Sequence, residues 1–196
     1  MKLTYLFDPL CGWCYAAAPA IRALADAGLA IDALPTGLFA GEGGRAMDAA
    51  FSAYAWENDQ RIAALTGQPF SDAYRQNVLK AGGRFDSTAA TLAVVAAGPR
   101  GLEALSLLQH ARYVDGRDTS DADVVARIIA DAGLPPVTDQ TRAACHDRIT
   151  HARCLMAQFG ARGVPVLILE DGRGARLLPS QMLYDNTTDL VAQPAA

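Results

Sequence analysis

The chain opens with Leu3-Thr4-Tyr5-Leu6-Phe7, a short run of apolar and β-favouring side chains that ends at Asp8-Pro9, and this predicts a first strand. Tyr15 to Ala25 is alanine-rich and spaces Ile21, Leu24 and Ala25 at helical intervals, so a helix follows, stopped by Gly28. Ala30 to Leu34 reads as a second strand, closed by Pro35 and by the turn Gly41-Glu42-Gly43-Gly44. From Arg45 to Phe159 helical periodicity recurs in about six segments. They are separated by Gly67-Gln68-Pro69, Gly82-Gly83, Gly98-Pro99, Asp115-Gly116 and Gly133-Leu134-Pro135-Pro136. Ser87, Ser120 and Asp139 stand where N-caps are expected. The chain then returns to strand at Gly163 to Leu169, turns at Glu170-Asp171-Gly172, adds a weaker strand at Ala175 to Leu178, and predicts a last helix around Gln181 to Val191.

Strand-helix-strand at one end and strand-strand-helix at the other make sense if both ends build one sheet and the helices between them cap it, since a sheet face needs a packed partner. The expected class is α/β. Residues 1–44 and 160–196 form one discontinuous domain, and residues 45–159 an inserted all-helical one.

Composition narrows the function. The 196 residues are 51% hydrophobic, with 17 Lys and Arg against 21 Asp and Glu. An acidic chain without a basic stripe argues against nucleic acid as a partner. No uncharged apolar run is long enough to span a membrane. The opening apolar stretch is too short and too β-like for a signal peptide, which gives a cytoplasmic expectation. Four cysteines are too few for a stapled secreted domain, so a disulfide here is expected to be a working one.

Cys11-Gly12-Trp13-Cys14 follows the first strand and opens the first helix. Thiols at i and i+3 share a helix face, roughly 5–6 Å apart at Cβ, close enough to form a disulfide. Unpaired N–H groups at the helix start favour a thiolate at Cys11, the expected nucleophile. Cys14, one turn deeper, is the expected resolving thiol.

The spacing Cys11-x-x-Cys14 with Pro19 five residues on, and Gly163-Val164-Pro165 before a late strand, resembles the thioredoxin fold. A helical block between the halves makes the chain similar to the bacterial DsbA branch. Cys-Gly-Trp-Cys-Tyr after Phe7-Asp8-Pro9-Leu10, and Phe159-Gly160-Ala161-Arg162-Gly163-Val164-Pro165, resemble its predicted protein-disulfide isomerases. The resemblance implies a cis Val164-Pro165 bond beside the dithiol, with the Val164 backbone as a docking edge for extended substrate. The dipeptide Gly12-Trp13 is neither the Pro-His of strongly oxidising periplasmic enzymes nor the Gly-Pro of thioredoxins. Lacking an imidazole, Cys11 loses one stabiliser of its anion, which points to an intermediate or reducing potential.

Other residues carry competing readings. Trp13 projects from the first turn, either as a flat contact for substrate or packed on the helical block. Phe39 is a candidate wall of the site. Asp8, three residues before Cys11, is placed to accept a proton when Cys14 attacks, but an Asp before Pro is more often a solvated turn former, and the sequence favours that. Trp56, Phe70, Tyr74, Phe85 and Tyr113 could line a cleft, with helix-on-helix core the stronger reading. Arg162 reads as solvated. Cys145, His146, Asp147, His151 and Cys154 suggest a metal cluster. However, Thr141 to Phe159 reads as one helix, which sets the two cysteines on opposite faces about 13 Å apart. No metal site is expected, and both thiols are read as small core residues.

The expected activity is thiol-disulfide exchange, reduction or isomerisation on protein or peptide thiols and disulfides. No metal or organic cofactor is needed, and glutathione is a candidate co-substrate. Two rivals stand beside it. Asp8 to Trp13 also resembles the start of kappa-class glutathione transferases and hydroxychromene-carboxylate isomerases, although those carry serine where Cys11 stands. The other rival is a redox-sensing interaction module.

Overall fold

The computed structural model describes residues 2–185. Strand β1 (Lys2–Phe7) leads through a loop into α1 (Gly12–Ala16), and after a break at Ala17 into α2 (Ala18–Asp26) and β2 (Ile31–Pro35). At the other end β5 (Val166–Asp171) and β6 (Gly174–Leu178) precede α9 (Met182–Asp185). The four strands form one sheet in the order β2-β1-β5-β6, with β1 parallel to β2 and antiparallel to β5. The two chain ends therefore do build a common sheet. The predicted last helix is described only as far as Asp185, and its remainder lies outside the described residues.

Alternation along the central strands sets the two layers. Leu3, Tyr5 and Phe7 of β1, with Leu167 and Leu169 of β5, enter the larger core against α2. Leu6, Val166 and Ile168 face the other way and pack with Leu155, Met156 and Phe159. Each such aliphatic or aromatic side chain contributes about 1.5–3 kcal/mol when fully buried, so a one-residue slip of either strand would reverse both faces at once.

Between the halves lie α3 (Ala49–Thr66), α4 (Asp72–Tyr74) running into a π-helical turn at Arg75–Leu79, α5 (Thr88–Ala96), α6 (Gly101–Tyr113), α7 (Ala122–Asp131) and α8 (Asp139–Gln158). The block also holds a two-stranded antiparallel ribbon of β3 (Arg45–Ala46) and β4 (Arg84–Phe85), two residues a side and too short to leave a periodic signal. Helix α8 packs on the sheet itself. Its Arg148 donates to Asp32 Oδ1 and the Ala33 carbonyl of β2, both at 2.9 Å, and its Arg153 to the carbonyls of Thr36 and Gly37, both at 3.0 Å.

The helix starts correct three expectations. Asp121, not Ser120, caps α7, because its carboxylate accepts from both Asp123 and Val124 N–H, while Ser120 Oγ accepts from the Asp86 N–H. Thr138, not Asp139, caps α8 through a reciprocal box with Thr141. Ser87 precedes α5 but makes no side-chain cap; its hydroxyl is used elsewhere.

Candidate active site

The dithiol sits where β1 hands over to α1. Cys11 is the extended N-cap residue of α1 and 8% exposed, whereas Cys14 is 0% exposed. Both are free thiols. Burial pushes the Cys14 thiol well above its ordinary value, and the neighbouring Cys11 adds to the rise. The pair is thus asymmetric: both residues are buried, but Cys11 keeps a small exposure and Cys14 has none.

The Val164-Pro165 peptide bond is cis, and the Cys11 thiol donates to the Val164 carbonyl at 3.5 Å. A groove of about 670 Å³ runs past this junction, lined among others by Trp13, Arg162, Val164, Pro165, Gln181 and Tyr184. Trp13 is half-buried and its ring meets Tyr184 of α9, centroids 5.2 Å apart. Its partner is therefore a residue of the C-terminal segment. Arg162 is exposed at the groove.

Asp8 is 0% exposed, which corrects the reading of a solvated turn former. Its Oδ1 accepts from the Leu10 N–H at 3.0 Å. Its Oδ2 accepts from the Phe39 N–H at 3.0 Å and from the Ser87 hydroxyl at 2.8 Å. Burial raises its carboxyl, and these hydrogen bonds oppose the rise without cancelling it. Asp8 also lies close enough to Cys14 for its charge to push that thiol further up. Phe39 is present through its backbone: its ring packs edge-on against Phe85 at 4.9 Å, and its side chain is not part of the groove wall.

Three tyrosines from distant segments hold the backbone around the thiols, a feature the sequence reading missed. Tyr5 of β1 donates to the Cys14 carbonyl at 3.4 Å. Tyr113 of α6 donates to the Leu10 carbonyl at 2.8 Å, and Tyr184 of α9 to the Trp13 carbonyl at 3.4 Å. All three are held neutral by burial, which raises their hydroxyls above the ordinary phenol value. Tyr5 stands in a mostly apolar strand, where a buried tyrosine's need for a partner was the available signal; Tyr113 and Tyr184 have polar neighbours in sequence and gave none.

The aromatic residues of the helical block are mainly core. Phe70, Tyr74, Phe85 and Tyr113 are buried, and the Tyr113 ring stacks on Tyr15 at 4.7 Å and meets Phe70 and Tyr74 at 5.1 Å each. Trp56 is half-buried beneath Arg75, 4.8 Å from the guanidinium. On α8 Cys145 is buried and Cys154 exposed. Cys154 is thus not a core residue: nine residues at about 100° each turn it to the opposite side of the helix from Cys145. Among the described residues no three His, Cys, Asp or Glu side chains come together as a metal site, and no helix is long and apolar enough to cross a membrane.

Comparison with known proteins adds to this geometry. The model of the DSBA-like thioredoxin domain matches residues 2–188. Among solved structures, the cytosolic disulfide reductase DsbM from Pseudomonas aeruginosa is 31% identical, with 98% of this chain and 96% of that chain covered and a TM-score of 0.85. The same protein with GSH is 32% identical over the same shares, with a TM-score of 0.84. A putative protein disulfide isomerase from Nitrosomonas europaea is 22% identical, covering 98% and 95%, with a TM-score of 0.76. A 2-hydroxychromene-2-carboxylate isomerase is 18% identical, covering 93% and 91%, with a TM-score of 0.57. The comparison with curated proteins found no match.

Proposed function

The chain belongs to the DSBA-like thioredoxin domain family and is a disulfide oxidoreductase or isomerase, and from that premise we propose that it reduces or isomerises disulfides through Cys11 and Cys14, with glutathione as co-substrate. The observation that carries this reading is the asymmetric pair: Cys11, 8% exposed with its thiol on the Val164 carbonyl, beside a fully buried Cys14. The likeness to the reductase DsbM and to its form with GSH supports reduction and the choice of co-substrate. It also supports the cytoplasmic setting, where such a pair rests as the dithiol.

The reaction balances in three steps. The Cys11 thiolate attacks one sulfur of a substrate disulfide, forming the mixed disulfide and releasing the other sulfur as a thiolate. Cys14 then gives its proton to Asp8 and attacks the Cys11 sulfur, which closes the Cys11–Cys14 disulfide and releases the second substrate thiolate. Two glutathione thiols return the pair to the dithiol, supplying two electrons and leaving oxidised glutathione. The Val164 backbone and the groove beside Trp13 and Pro165 receive the extended substrate. In this reading residues 1–44 and 160–196 supply the redox scaffold, and residues 45–159 wall it in.

The hydroxychromene-type reading has likeness of fold alone, and it leaves Cys14 without a task, since activating bound glutathione needs no resolving thiol. The test is a titration of the dithiol against reduced and oxidised glutathione, with free thiols mass-tagged at each poise. A two-thiol transition confined to Cys11 and Cys14 is the expected result. An untagged pair at no poise, with both thiols free throughout, would remove the proposal.

A further inference from the structure

Gly12, the first of the two residues between the cysteines, is pressed from the helical side. A Cβ on Gly12 would lie 2.6 Å from Asp59 Oδ1 and 3.1 Å from Ile62 Cδ1, so α3 leaves space for glycine at that position. Asp59 is an acid on the buried face of α3, together with Ser52 and Ile62, and is 5% exposed. Its Oδ2 accepts from the Tyr74 hydroxyl at 2.9 Å, while Oδ1 is the atom turned to Gly12. Arg112, 1% exposed, lies beyond Tyr74 with its guanidinium 5.7 Å from that ring, and spends Nη1 on Asp118 at 2.9 Å. Burial pushes the Asp59 carboxyl up to about 7, against the pull of the Tyr74 hydrogen bond and the Arg112 charge.

We infer that Asp59 is a positioning residue of the dithiol: its carboxyl, packed on Gly12 and tethered by Tyr74, sets how readily the neighbouring Cys11 sulfur carries negative charge. This rests on the reading of Cys11 as the attacking thiol. A carboxylate packed on the residue that follows the attacking cysteine disfavours a thiolate developing there, and a neutral carboxyl does not. When Asp59 is ionised it restrains Cys11; when Asp59 is protonated the restraint lifts.

The other groups around Asp59 do not take over this task. Tyr74 on α4, Tyr113 on α6 and Tyr184 on α9 are kept neutral by burial, and so is Cys14. Arg112 on α6 keeps its charge at all working pH values, and Arg75 is stacked over Trp56. Asp8 spends both of its oxygens on the Leu10 and Phe39 N–H groups and the Ser87 hydroxyl. This leaves Asp59 as the titrating acid packed on Gly12.

The test follows iodoacetamide alkylation of Cys11 against pH in the full chain, read by peptide mass so that exposed Cys154 is counted apart, with thermal melts as the folding control. Asp59→Asn keeps shape and an acceptor for Tyr74. It should alkylate roughly three- to tenfold faster than the parent at neutral pH, with the lower step of the parent profile gone. Tyr74→Phe removes a bond that favours ionised Asp59, so that step should move to higher pH and the neutral rate should rise by a smaller factor. Parent and Asp59→Asn profiles that superimpose would overturn the inference, as would a Tyr74→Phe rate that is unchanged or slower. Should Asp59→Asn not fold, the direction of the Tyr74→Phe shift decides. A Cys11 rate without pH dependence in all three proteins would instead overturn the reading of Cys11 as the attacking thiol.

Discussion

The dithiol stands between two buried carboxyls that share a cause and differ in almost everything else. On the sheet side Asp8 is saturated: two backbone N–H groups and the Ser87 hydroxyl fix both of its oxygens. On the helical side Asp59 has one phenol on one oxygen, while the other presses on Gly12. Burial raises both carboxyls, so desolvation alone does not distinguish them. Placement does. Asp8 acts on the sealed Cys14, and Asp59 abuts the residue that follows Cys11. The two half-reactions, attack and resolution, can therefore be tuned by separate acids contributed by separate parts of the chain.

The largest expected effect breaks the comparison if it falls on the wrong step. Asp8→Asn should slow closure of the Cys11–Cys14 disulfide from a preformed mixed disulfide by about 10²-fold, the low end for a lost proton acceptor. Cys11 alkylation in the same variant should stay near that of the parent. Rapid-quench mass analysis of mixed-disulfide decay separates the steps. If Asp8→Asn altered attack and Asp59→Asn altered resolution, the assignment of the two acids would be reversed.

Stability against pH gives the next effect. An unfolded Asp titrates near 3.9, and Asp59 in the fold at about 7, so between these values the native chain holds a proton that the unfolded chain has lost. Stability should therefore fall as pH rises through that window and level off above it, by up to about 4 kcal/mol if the whole shift is realised. Denaturant unfolding at a series of pH values reads the slope. Asp59→Asn should flatten it in part, leaving the slope of the same sign due to Asp8.

Gly12→Ala should cost about 1–3 kcal/mol by overpacking against Asp59 and Ile62. It should cost markedly less in an Asp59→Ala background, a coupling that a double-mutant cycle measures. The smallest effect is at the tether of the active-site loop: Tyr113→Phe removes one buried hydrogen bond to the Leu10 carbonyl, with an expected loss of about 1 kcal/mol in the same unfolding experiment.

Much of the scaffold was legible because its signals are periodic. Tyr5 and Leu6 of β1, like Leu167 and Ile168 of β5, point to opposite faces as alternation requires, and Cys11, Cys14 and Pro165 lie at fixed offsets from predictable strands. What stayed hidden depends on contacts between distant segments. Ser87 looks like a cap because it precedes a helix, but its hydroxyl satisfies Asp8 instead, seventy-nine positions away. Asp8 before Pro9 looks solvated, because a dipeptide cannot reveal that Phe39 and Ser87 will close over it. Asp59 lies in Trp56-Glu57-Asn58-Asp59, which reads as the wet side of a helix. The usable clue was its spacing of seven from Ser52 and three from Ile62, which puts an acid on the inward face. The caps of α7 and α8 were each displaced by one residue, since adjacent polar side chains compete and local geometry chooses between them.

The most direct test of the central claim is to trap the first covalent intermediate. The Cys14→Ser chain, incubated with oxidised glutathione and digested without reductant, should carry one glutathione on Cys11, released by added thiol, while the parent under the same conditions closes to the internal disulfide. Glutathione found on exposed Cys154 with Cys11 unmodified, or a parent that accumulates the adduct as readily as Cys14→Ser, would contradict the claim.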